Sequence, residues 1–310
     1  MKTIKKSLSA GLLILCLLLS SCTTEKVHAK IAKGSTLSIV VVTDLHYLDA
    51  SLFDLGSAFL KYSMATDGRI LRYNNEIVDA FVFTMIQTKP DILIISGDLT
   101  NNGEKISHQK LAEKLKKIEE AGVLVYVIPG NHDIMNAWSR EFNGDKQIKV
   151  DSIAWTDFSR IYKNYGYDEA VLKDKTSLSY LAMPSEDLWL LMLDTNHYSK
   201  GDRVWQPYSN GSLQSQTMVW IKTVAELAKA QGARILTVMH HNLVSHNDLF
   251  TGYTLDNSCD VKTLFHELDL NLVLSGHLHV QDIRVDPFSE EPQTDIVTQA
   301  LPMYPFQYGT

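Results

Sequence analysis

The sequence predicts an α/β fold in which helices flank a parallel sheet. Short apolar runs alternate with longer segments of helical periodicity, and strand–helix–strand units of this kind build parallel sheets with right-handed crossovers. Of the 310 residues, 45% are hydrophobic and 21% are charged, which is typical of a globular protein. The length allows one large domain, or one domain with a small appendage.

The N-terminal 22 residues are predicted to be a targeting segment. Three lysines precede an apolar stretch at residues 10–19, which is shorter than the roughly 20 residues that a transmembrane helix needs. The stretch runs into Leu19-Ser20-Ser21-Cys22, which resembles the processing box of bacterial lipoproteins. We therefore expect lipidation at Cys22, a polar tether at residues 23–36, and an extracytoplasmic domain at residues 37–310 that is lipid-anchored to the bacterial cell membrane. An ordinary signal peptide is the alternative.

The charge of the chain argues against binding of nucleic-acid polymers, and its cysteine content argues against an intrachain disulfide. Removal of the targeting segment would take away three lysines and no acidic residue, so the formal net charge would fall from −7 to −10. No basic run remains, and a nucleic-acid polymer would be repelled at long range. Of the three cysteines, Cys16 leaves with the segment and Cys22 would carry lipid. Only Cys259 remains, so no intrachain disulfide is possible.

The first half of the chain predicts three strands and two helices. Residues 74–88 have apolar positions at helical spacing before Pro90, and residues 104–120 have an apolar face and end near Gly122. β-Branched and apolar runs supply the strands around these helices. The predicted elements are a strand at 37–42, a helix at 74–88, a strand at 92–95, a helix at 104–120 and a strand at 123–128.

The second half repeats the alternation less regularly. It predicts a strand at 188–193, a helix at 213–229, a strand at 234–239, a helix at 261–268 and strands at 272–274, 279–285 and 294–298. The connections at 47–73 and 134–180 are long and carry few signals. Such connections are usually functional or contain small helices of their own.

Side chains of metal-ligand type follow five of these strands. They are Asp44 and His46; Asp98; Asn131, His132 and Asp133; His240 and His241; and His277 and His279. The carboxyl ends of strands form one edge of an open α/β sheet, where ligands collect. Each motif is weak alone, but the ordered set is specific. Oxygen and imidazole donors without a thiolate favour manganese, iron or zinc.

The same motifs resemble those of the calcineurin-like metallophosphoesterase superfamily. The resemblance covers about residues 37–300, and residues 97–103 with His240-His241 place the chain closest to the bacterial class III cyclic-nucleotide phosphodiesterases, including lipoprotein members. It implies a β-sandwich flanked by helices, with a dinuclear metal site at the carboxyl ends of the strands. Many relatives have proline where Asn242 stands here. Some lipoprotein relatives continue into a further C-terminal domain, so a shortened member or a fragment is an alternative.

The resemblance also implies a role for each site residue. Asp44, His46 and His279 would hold one ion, Asn131, His240 and His277 the other, and Asp98 would bridge both. His132 would face the substrate as a proton donor or as a charge-neutralising group. Asp133 would orient His132.

The predicted function is metal-dependent hydrolysis of phosphate esters. The expected substrates are small phosphodiesters such as cyclic nucleotides, attacked by a hydroxide held between two divalent or trivalent ions, manganese, iron or zinc. A phosphomonoesterase or nucleotidase is the alternative with the same chemistry. A non-catalytic surface lipoprotein that binds a ligand is the alternative of another class.

Other histidines and tryptophans are expected to lie outside the site. His108 is predicted on a solvated helix face, and His266 is predicted to be structural. His197 and His246 are closer to the predicted site and are weighed as substrate contacts without being selected. Trp138 and Trp155 could stack on a base, but tryptophan in α/β proteins is more often in the core, and a core position is the expectation here.

Overall fold

The computed structural model describes residues 29–197, 208–247, 249, 251–286 and 292–310. The predicted targeting segment, Cys22 and the first part of the tether lie outside the described residues. Within the described ranges, no helix has the length and apolar character needed to cross a membrane.

The predicted alternation of strands and helices is present, with bounds that differ by a few residues. The strands are β1 (Ile39–Val42), β2 (Ile92–Ile95), β3 (Leu124–Val127), β4 (Arg140–Asn143), β5 (Lys146–Lys149), β6 (Leu172–Lys173), β7 (Tyr180–Ala182), β8 (Leu188–Leu193), β9 (Arg234–Met239), β10 (Leu272–Ser275), β11 (Asp282–Val285) and β12 (Thr294–Val297). The α-helices are α1 (Ser57–Ser63), α2 (Asn74–Thr88), α3 (Lys105–Glu120), α4 (Trp155–Ile161), α5 (Ser215–Gln231) and α6 (Ser258–Glu267). Short 3₁₀ turns lie at Ala50–Leu52 and Leu71–Tyr73, and a kinked turn lies at Lys163–Tyr167.

Two larger sheets carry the fold. β1, β2 and β3 form a parallel three-stranded sheet. The second sheet has seven strands in the order β11-β12-β10-β9-β8-β7-β6, with a parallel centre made of β12, β10, β9 and β8. β4 and β5 form a separate hairpin.

The two larger sheets face each other, and helices cover the outer face of the larger one. Leu190 of β8 and Val238 of β9 belong to the same buried apolar cluster as Ile94 of β2. Leu191, the next residue of β8, belongs instead to the cluster that contains Phe265 of α6. Alternate residues of a strand point to opposite faces, so β8 is buried on both sides. The predicted β-sandwich flanked by helices is confirmed.

Strand register brings the predicted site residues to one edge. β1 and β2 end opposite each other at Val42 and Ile95, and β2 and β3 pair up to Val127. In the larger sheet, β9 ends at Met239 and β10 at Ser275. The turns that follow these parallel strands leave each sheet at its carboxyl edge, and each turn carries one of the predicted motifs. The two edges meet, because the His277 N–H after β10 donates to the Asp44 carboxylate after β1.

The two long connections contain small elements that the sequence did not specify. α1 has only seven residues and β6 only two, so neither is long enough to show a clear period. Phe59 of α1 stacks on Phe53 at 4.2 Å between ring centroids and meets Phe142 of β4 at 5.6 Å. These aromatic contacts join the 47–73 connection to the 134–180 connection beside the predicted site.

Candidate metal centre

The seven residues predicted to hold ions lie together at the carboxyl ends of the two sheets. They are Asp44, His46, Asp98, Asn131, His240, His277 and His279. Five of these have a positive φ, between 41° and 72°. A positive φ is uncommon for a residue with a Cβ, and such strain concentrates at functional sites. The backbone of these turns is therefore bent to aim side chains and not to continue the strands.

The first group of ligand-type atoms comes from the turns after β1 and β10. Asp44 Oδ1 lies 3.6 Å from His46 Nε2 and 3.3 Å from His279 Nε2. The two ring nitrogens are 3.0 Å apart. Asp44 and His46 are fully buried, and the three side chains place one donor atom each around a common point.

The second group combines the turns after β2, β3, β9 and β10. Asp98, His240 and His277 place their ligand atoms within 4.8 Å of one another, and Asn131 Oδ1 is 3.1 Å from His240 Nε2. His240 Nδ1 donates to the carbonyl oxygen of Ser96 at 2.9 Å, which leaves Nε2 for an ion. In His277 the two ring nitrogens have the reverse roles. Nε2 donates to the Ser209 carbonyl oxygen at 2.6 Å, which leaves Nδ1 for an ion. A carbonyl partner that fixes the tautomer is typical of ion-binding histidines.

Asp98 lies between the two groups. Its Oδ2 atom is 3.7 Å from His46 Nε2 in the first group and 3.5 Å from His240 Nε2 in the second. Its other oxygen, Oδ1, accepts the backbone N–H of His132 at 2.8 Å. One oxygen is thus held by the backbone, and the other faces both groups at once.

Asp44 divides its oxygens in the same way. Oδ2 accepts the Thr43 hydroxyl at 2.7 Å and the His277 backbone N–H at 2.8 Å. Oδ1 is buried and has no hydrogen-bond partner among the described residues. A buried carboxylate oxygen without a partner is costly. Together with the imidazole and amide donors around it, this orphaned oxygen fits a bound cation.

The carboxyl groups of the site are held in their ionised form. Burial alone would raise the pKa of Asp44, but the charge of His279 and the adjacent imidazoles of His279 and His46 hold it well below its usual range. Burial also opposes the ionisation of Asp98, and the charge of His240 outweighs it, so the pKa of Asp98 is lowered. Two anionic carboxylates in a buried site require positive charge nearby.

The imidazoles divide into neutral and charged. Burial and then the charge of His240 lower the pKa of His277 to about 3. Burial and then the guanidinium of Arg69 lower the pKa of His46. For His240, burial lowers the pKa, but the ionised Asp98 beside it outweighs burial and raises the pKa to about 9. A proton and a cation therefore compete for His240 Nε2.

His132 has partners other than the predicted one. Its Nδ1 lies 2.9 Å from the Asn101 carbonyl oxygen and 3.0 Å from Asn102 Oδ1, so Nδ1 carries a proton and donates. The expectation that Asp133 orients His132 is wrong. The Asp133 carboxylate accepts the backbone N–H groups of Thr100 at 2.9 Å and Gly130 at 2.9 Å. Two successive side chains on this turn point apart, so Asp133 ties the turns after β2 and β3 together while Asn101 and Asn102 hold the ring.

The predictions for His108 and for the two tryptophans, all outside the ion-binding set, are also wrong. His108 is buried, not solvated, and its Nδ1 lies 2.8 Å from the Tyr162 hydroxyl beneath the site. Trp138 and Trp155 are 37% and 54% exposed and are not core residues. His266 is exposed on α6.

The two histidines weighed as substrate contacts pair with aspartates instead. His246 is buried with Nδ1 3.1 Å from Asp282 and Nε2 3.4 Å from Asp295. His197 Nε2 lies 3.0 Å from Asp256.

The second histidine of the His240-His241 pair is also buried. Its Nδ1 lies 2.7 Å from the Thr195 hydroxyl.

A cleft of about 330 Å³ opens over the two groups. Its walls include Asp98, Asn131, His132, His277 and His279 of the predicted site. Three further lining residues are Arg69, Trp138 and Tyr253. Arg69 had no sequence signal, because it lies in a connection without periodicity and its place is set by the tertiary fold.

Replacing Gly97 by alanine is expected to disrupt the second group. Gly97 has φ +106°, and a Cβ there would collide with the ring of His240. Gly122 has a similar φ of +97°, but a Cβ there would meet nothing within 4 Å. Gly122→Ala should therefore lose only roughly 1–2 kcal/mol of unfolding free energy from backbone strain, and Gly97→Ala roughly 1–3 kcal/mol more from the clash.

Thermal unfolding and bound-metal analysis of both variants measure this difference. Gly122→Ala is expected to keep its ions, and Gly97→Ala is expected to lose at least one. Equal metal content and equal stability in the two variants would contradict the packing of Gly97 against His240.

Comparisons with known proteins give a family and a fold. A family model described as calcineurin-like phosphoesterase matches residues 37–281. A probable glycerophosphodiester phosphodiesterase of Arcobacter nitrofigilis is 25% identical over 156 residues, which are 50% of this chain and 43% of that protein. A probable cyclic nucleotide phosphodiesterase of Synechococcus sp. is 33% identical over 98 residues, 32% of each chain. The aligned parts thus span less than half the length of these curated relatives.

A solved structure shares the fold. A dimetal phosphatase from Danio rerio matches with a TM-score of 0.58 and 13% identity, over 85% of this chain and 87% of that chain.

Proposed function

Because this chain belongs to the calcineurin-like phosphoesterase family, we propose that it hydrolyses small phosphodiesters with two bound metal ions. The observation that carries the proposal is Asp98, whose Oδ2 atom lies within 3.7 Å of an imidazole nitrogen in each of two donor groups. The phosphodiesterase names of the two curated relatives support diesters over monoesters.

In this proposal the protein supplies two adjoining cation sites. Asp44, His46 and His279 would hold one ion, and Asn131, His240 and His277 the other, with Asp98 shared by both. Bound ions would supply Lewis-acid stabilisation of phosphoryl oxygens and a nucleophile at neutral pH. The absence of thiolates favours manganese, iron or zinc for these sites.

His132 acts on the substrate in this proposal and does not hold an ion. Its Nδ1 is already committed to the Asn101 carbonyl, and its ring lies 5.1 Å from that of His46, edge to face. The nitrogen that remains, Nε2, is available to an oxygen of a substrate in the cleft. His132 would hold a proton at Nε2 for the departing oxygen.

The proposed activity is tested with two aryl phosphates. Purified protein that is stripped with a chelator and reloaded with Mn²⁺ is expected to hydrolyse bis(4-nitrophenyl) phosphate faster than 4-nitrophenyl phosphate. Faster hydrolysis of the monoester would favour the phosphomonoesterase alternative. Two tightly bound ions without hydrolysis of either ester would favour the binding-lipoprotein alternative.

We also propose that Cys22 anchors the protein outside the cytoplasm, on the resemblance of Leu19-Ser20-Ser21-Cys22 to a lipoprotein processing box. Serine cannot form the thioether to lipid, so Cys22→Ser should leave the chain unprocessed or release it from the membrane fraction. Cell fractionation with and without globomycin measures this. A Cys22→Ser chain that is processed normally and stays membrane-bound would contradict the anchor, and Cys259→Ser serves as the control for loss of a thiol.

A further inference from the structure

Arg69 is the one arginine or lysine among the described residues that line the cleft. It lies in the connection between α1 and α2, and it is half-buried. Its backbone is fixed on both sides, because its carbonyl accepts the Thr66 hydroxyl at 3.1 Å and the next N–H, of Ile70, donates to the Pro302 carbonyl at 2.8 Å. The guanidinium is thus delivered to the cleft from an anchored backbone.

Few of the hydrogen bonds that a guanidinium can make are formed. Nη1 of Arg69 lies 2.8 Å from His46 Nδ1. Nε is buried and has no partner among the described residues. Asp67 lies on the same cleft wall, but no hydrogen bond or ion pair joins it to Arg69 within the described part of the chain. A half-buried guanidinium with an unpaired N–H calls for an anionic acceptor, and its planar fork fits a phosphate.

The contact with His46 cannot persist when His46 holds a cation through Nε2. Guanidinium groups only donate, so His46 Nδ1 must accept in the observed contact and the ring proton must sit on Nε2. Coordination through Nε2 requires the opposite tautomer, with the proton on Nδ1. Two N–H groups would then face each other. Arg69 would therefore have to leave His46 if the first group held an ion, and the space open to its side chain would be the cleft that it lines.

We propose that Arg69 is a substrate-binding residue that holds an anionic oxygen of the phosphoryl group over the two donor groups. This inference rests on the proposed function for the position of that group. Asp98 in the cleft wall carries a negative charge, and so does the buried Asp44 of the first group. The Arg69 guanidinium offers a positive charge in the same cleft that does not depend on the ions. The proposal differs from a supporting role, in which Arg69 would only steady His46.

Binding of inorganic phosphate to the Mn²⁺-loaded protein tests the proposal without requiring turnover. Loss of a charge-assisted hydrogen-bond pair weakens binding by roughly 10–100-fold. Arg69→Ala is therefore expected to weaken phosphate binding, measured by calorimetry, by that factor and to raise KM for bis(4-nitrophenyl) phosphate more than it lowers kcat. Phosphate affinity of Arg69→Lys should lie between those of the wild type and Arg69→Ala, since lysine keeps the positive charge but lacks the planar pair of N–H donors.

Metal content separates substrate binding from support of His46. Because the His46 contact and cation binding exclude each other, Arg69→Ala should retain both Mn²⁺ ions with unchanged or tighter affinity. Arg72→Ala is the matched control, since Arg72 is exposed in the same connection and lies over the ring of Tyr73. It should bind phosphate and Mn²⁺ like the wild type.

The outcomes separate this inference from the proposed function. Phosphate binding by Arg69→Ala that equals the wild type would overturn the inference, even if diester hydrolysis is found. Loss of Mn²⁺ from Arg69→Ala would also overturn it, in favour of a supporting role. Arg69-dependent phosphate binding without any diester hydrolysis would support the inference while the proposed function fails.

Discussion

Asp98→Ala is expected to lose most bound metal and to abolish hydrolysis. Among the described residues, Asp98 Oδ2 is the one carboxylate oxygen within 4 Å of imidazole nitrogens in both donor groups, at 3.7 Å and 3.5 Å. Its removal takes a ligand from both proposed sites and leaves His46 and His240 without their shared anionic neighbour. Because two bound ions would lower the barrier by several kcal/mol, their loss should reduce activity by at least roughly 10³-fold. Elemental analysis and hydrolysis of bis(4-nitrophenyl) phosphate measure both effects.

A buried carboxylate elsewhere in the protein controls for general destabilisation. Asp174 is also buried, and it accepts hydroxyl hydrogen bonds from Ser177 at 2.7 Å and from Thr217 of α5, outside the cleft walls. Asp174→Ala should lower the melting temperature but keep two ions per chain. Retention of two equivalents of metal by Asp98→Ala would contradict the shared-ligand assignment.

The sequence predicted well which turns carry the site residues, because the end of a strand is marked by residues close to it in the sequence. Buried runs such as Ile92–Ile95 have few alternatives to a central parallel strand, and Gly97 and Gly130 mark the turns that follow. Once the strands are parallel, their carboxyl ends meet at one edge whatever the details of packing. The family resemblance drawn from these motifs is confirmed by the match over residues 37–281.

The hydrogen-bond partners of the site residues were predicted less well, because they depend on the direction in which each side chain leaves its turn. Asp133 is adjacent to His132 in sequence, yet its carboxylate turns to the backbone of Thr100 and Gly130. His132 is instead held by Asn101 and Asn102. The sequence analysis used these two residues only as part of the family motif at residues 97–103. Adjacent positions in a tight turn diverge, and the pattern of residue types does not show which one points inward.

Tertiary contacts decided the remaining differences. His108 sits among polar neighbours on a helix, and its burial follows from the packing of α3 on α4 and on Tyr162. Arg69 and Trp138 reach the cleft from the two long connections, which aromatic contacts around Phe59 bring together. Neither connection has the periodicity that would place a side chain from sequence alone.

His132→Ala is expected to keep both ions and to lose activity according to the leaving group. Its Nδ1 is bound to the Asn101 carbonyl, so a transferable proton sits on Nε2 and exists only in the charged ring. A nitrophenolate departs without a proton, whereas an alkoxide from a ribose requires one. Turnover of 3′,5′-cyclic AMP, if it is a substrate, should fall by roughly 10²–10⁴-fold, and turnover of bis(4-nitrophenyl) phosphate far less. Rates for both esters at saturating Mn²⁺ measure the difference.

The pH dependence gives the same test in the wild type. Burial lowers the pKa of His132, and the Arg69 charge adds to this, although the charge of Asp98 opposes it. Because the charged form donates, the cyclic-nucleotide rate should fall as pH rises through this pKa, while the aryl rate should lack that limb. His132→Ala should abolish this fall of the rate with pH, and replacement of the exposed His266 by alanine should preserve it.

His240→Ala, by contrast, should weaken metal binding and slow the hydrolysis of both esters alike. An equal loss on both esters in His132→Ala would mean charge stabilisation in place of proton donation, and a loss of metal would make His132 a ligand.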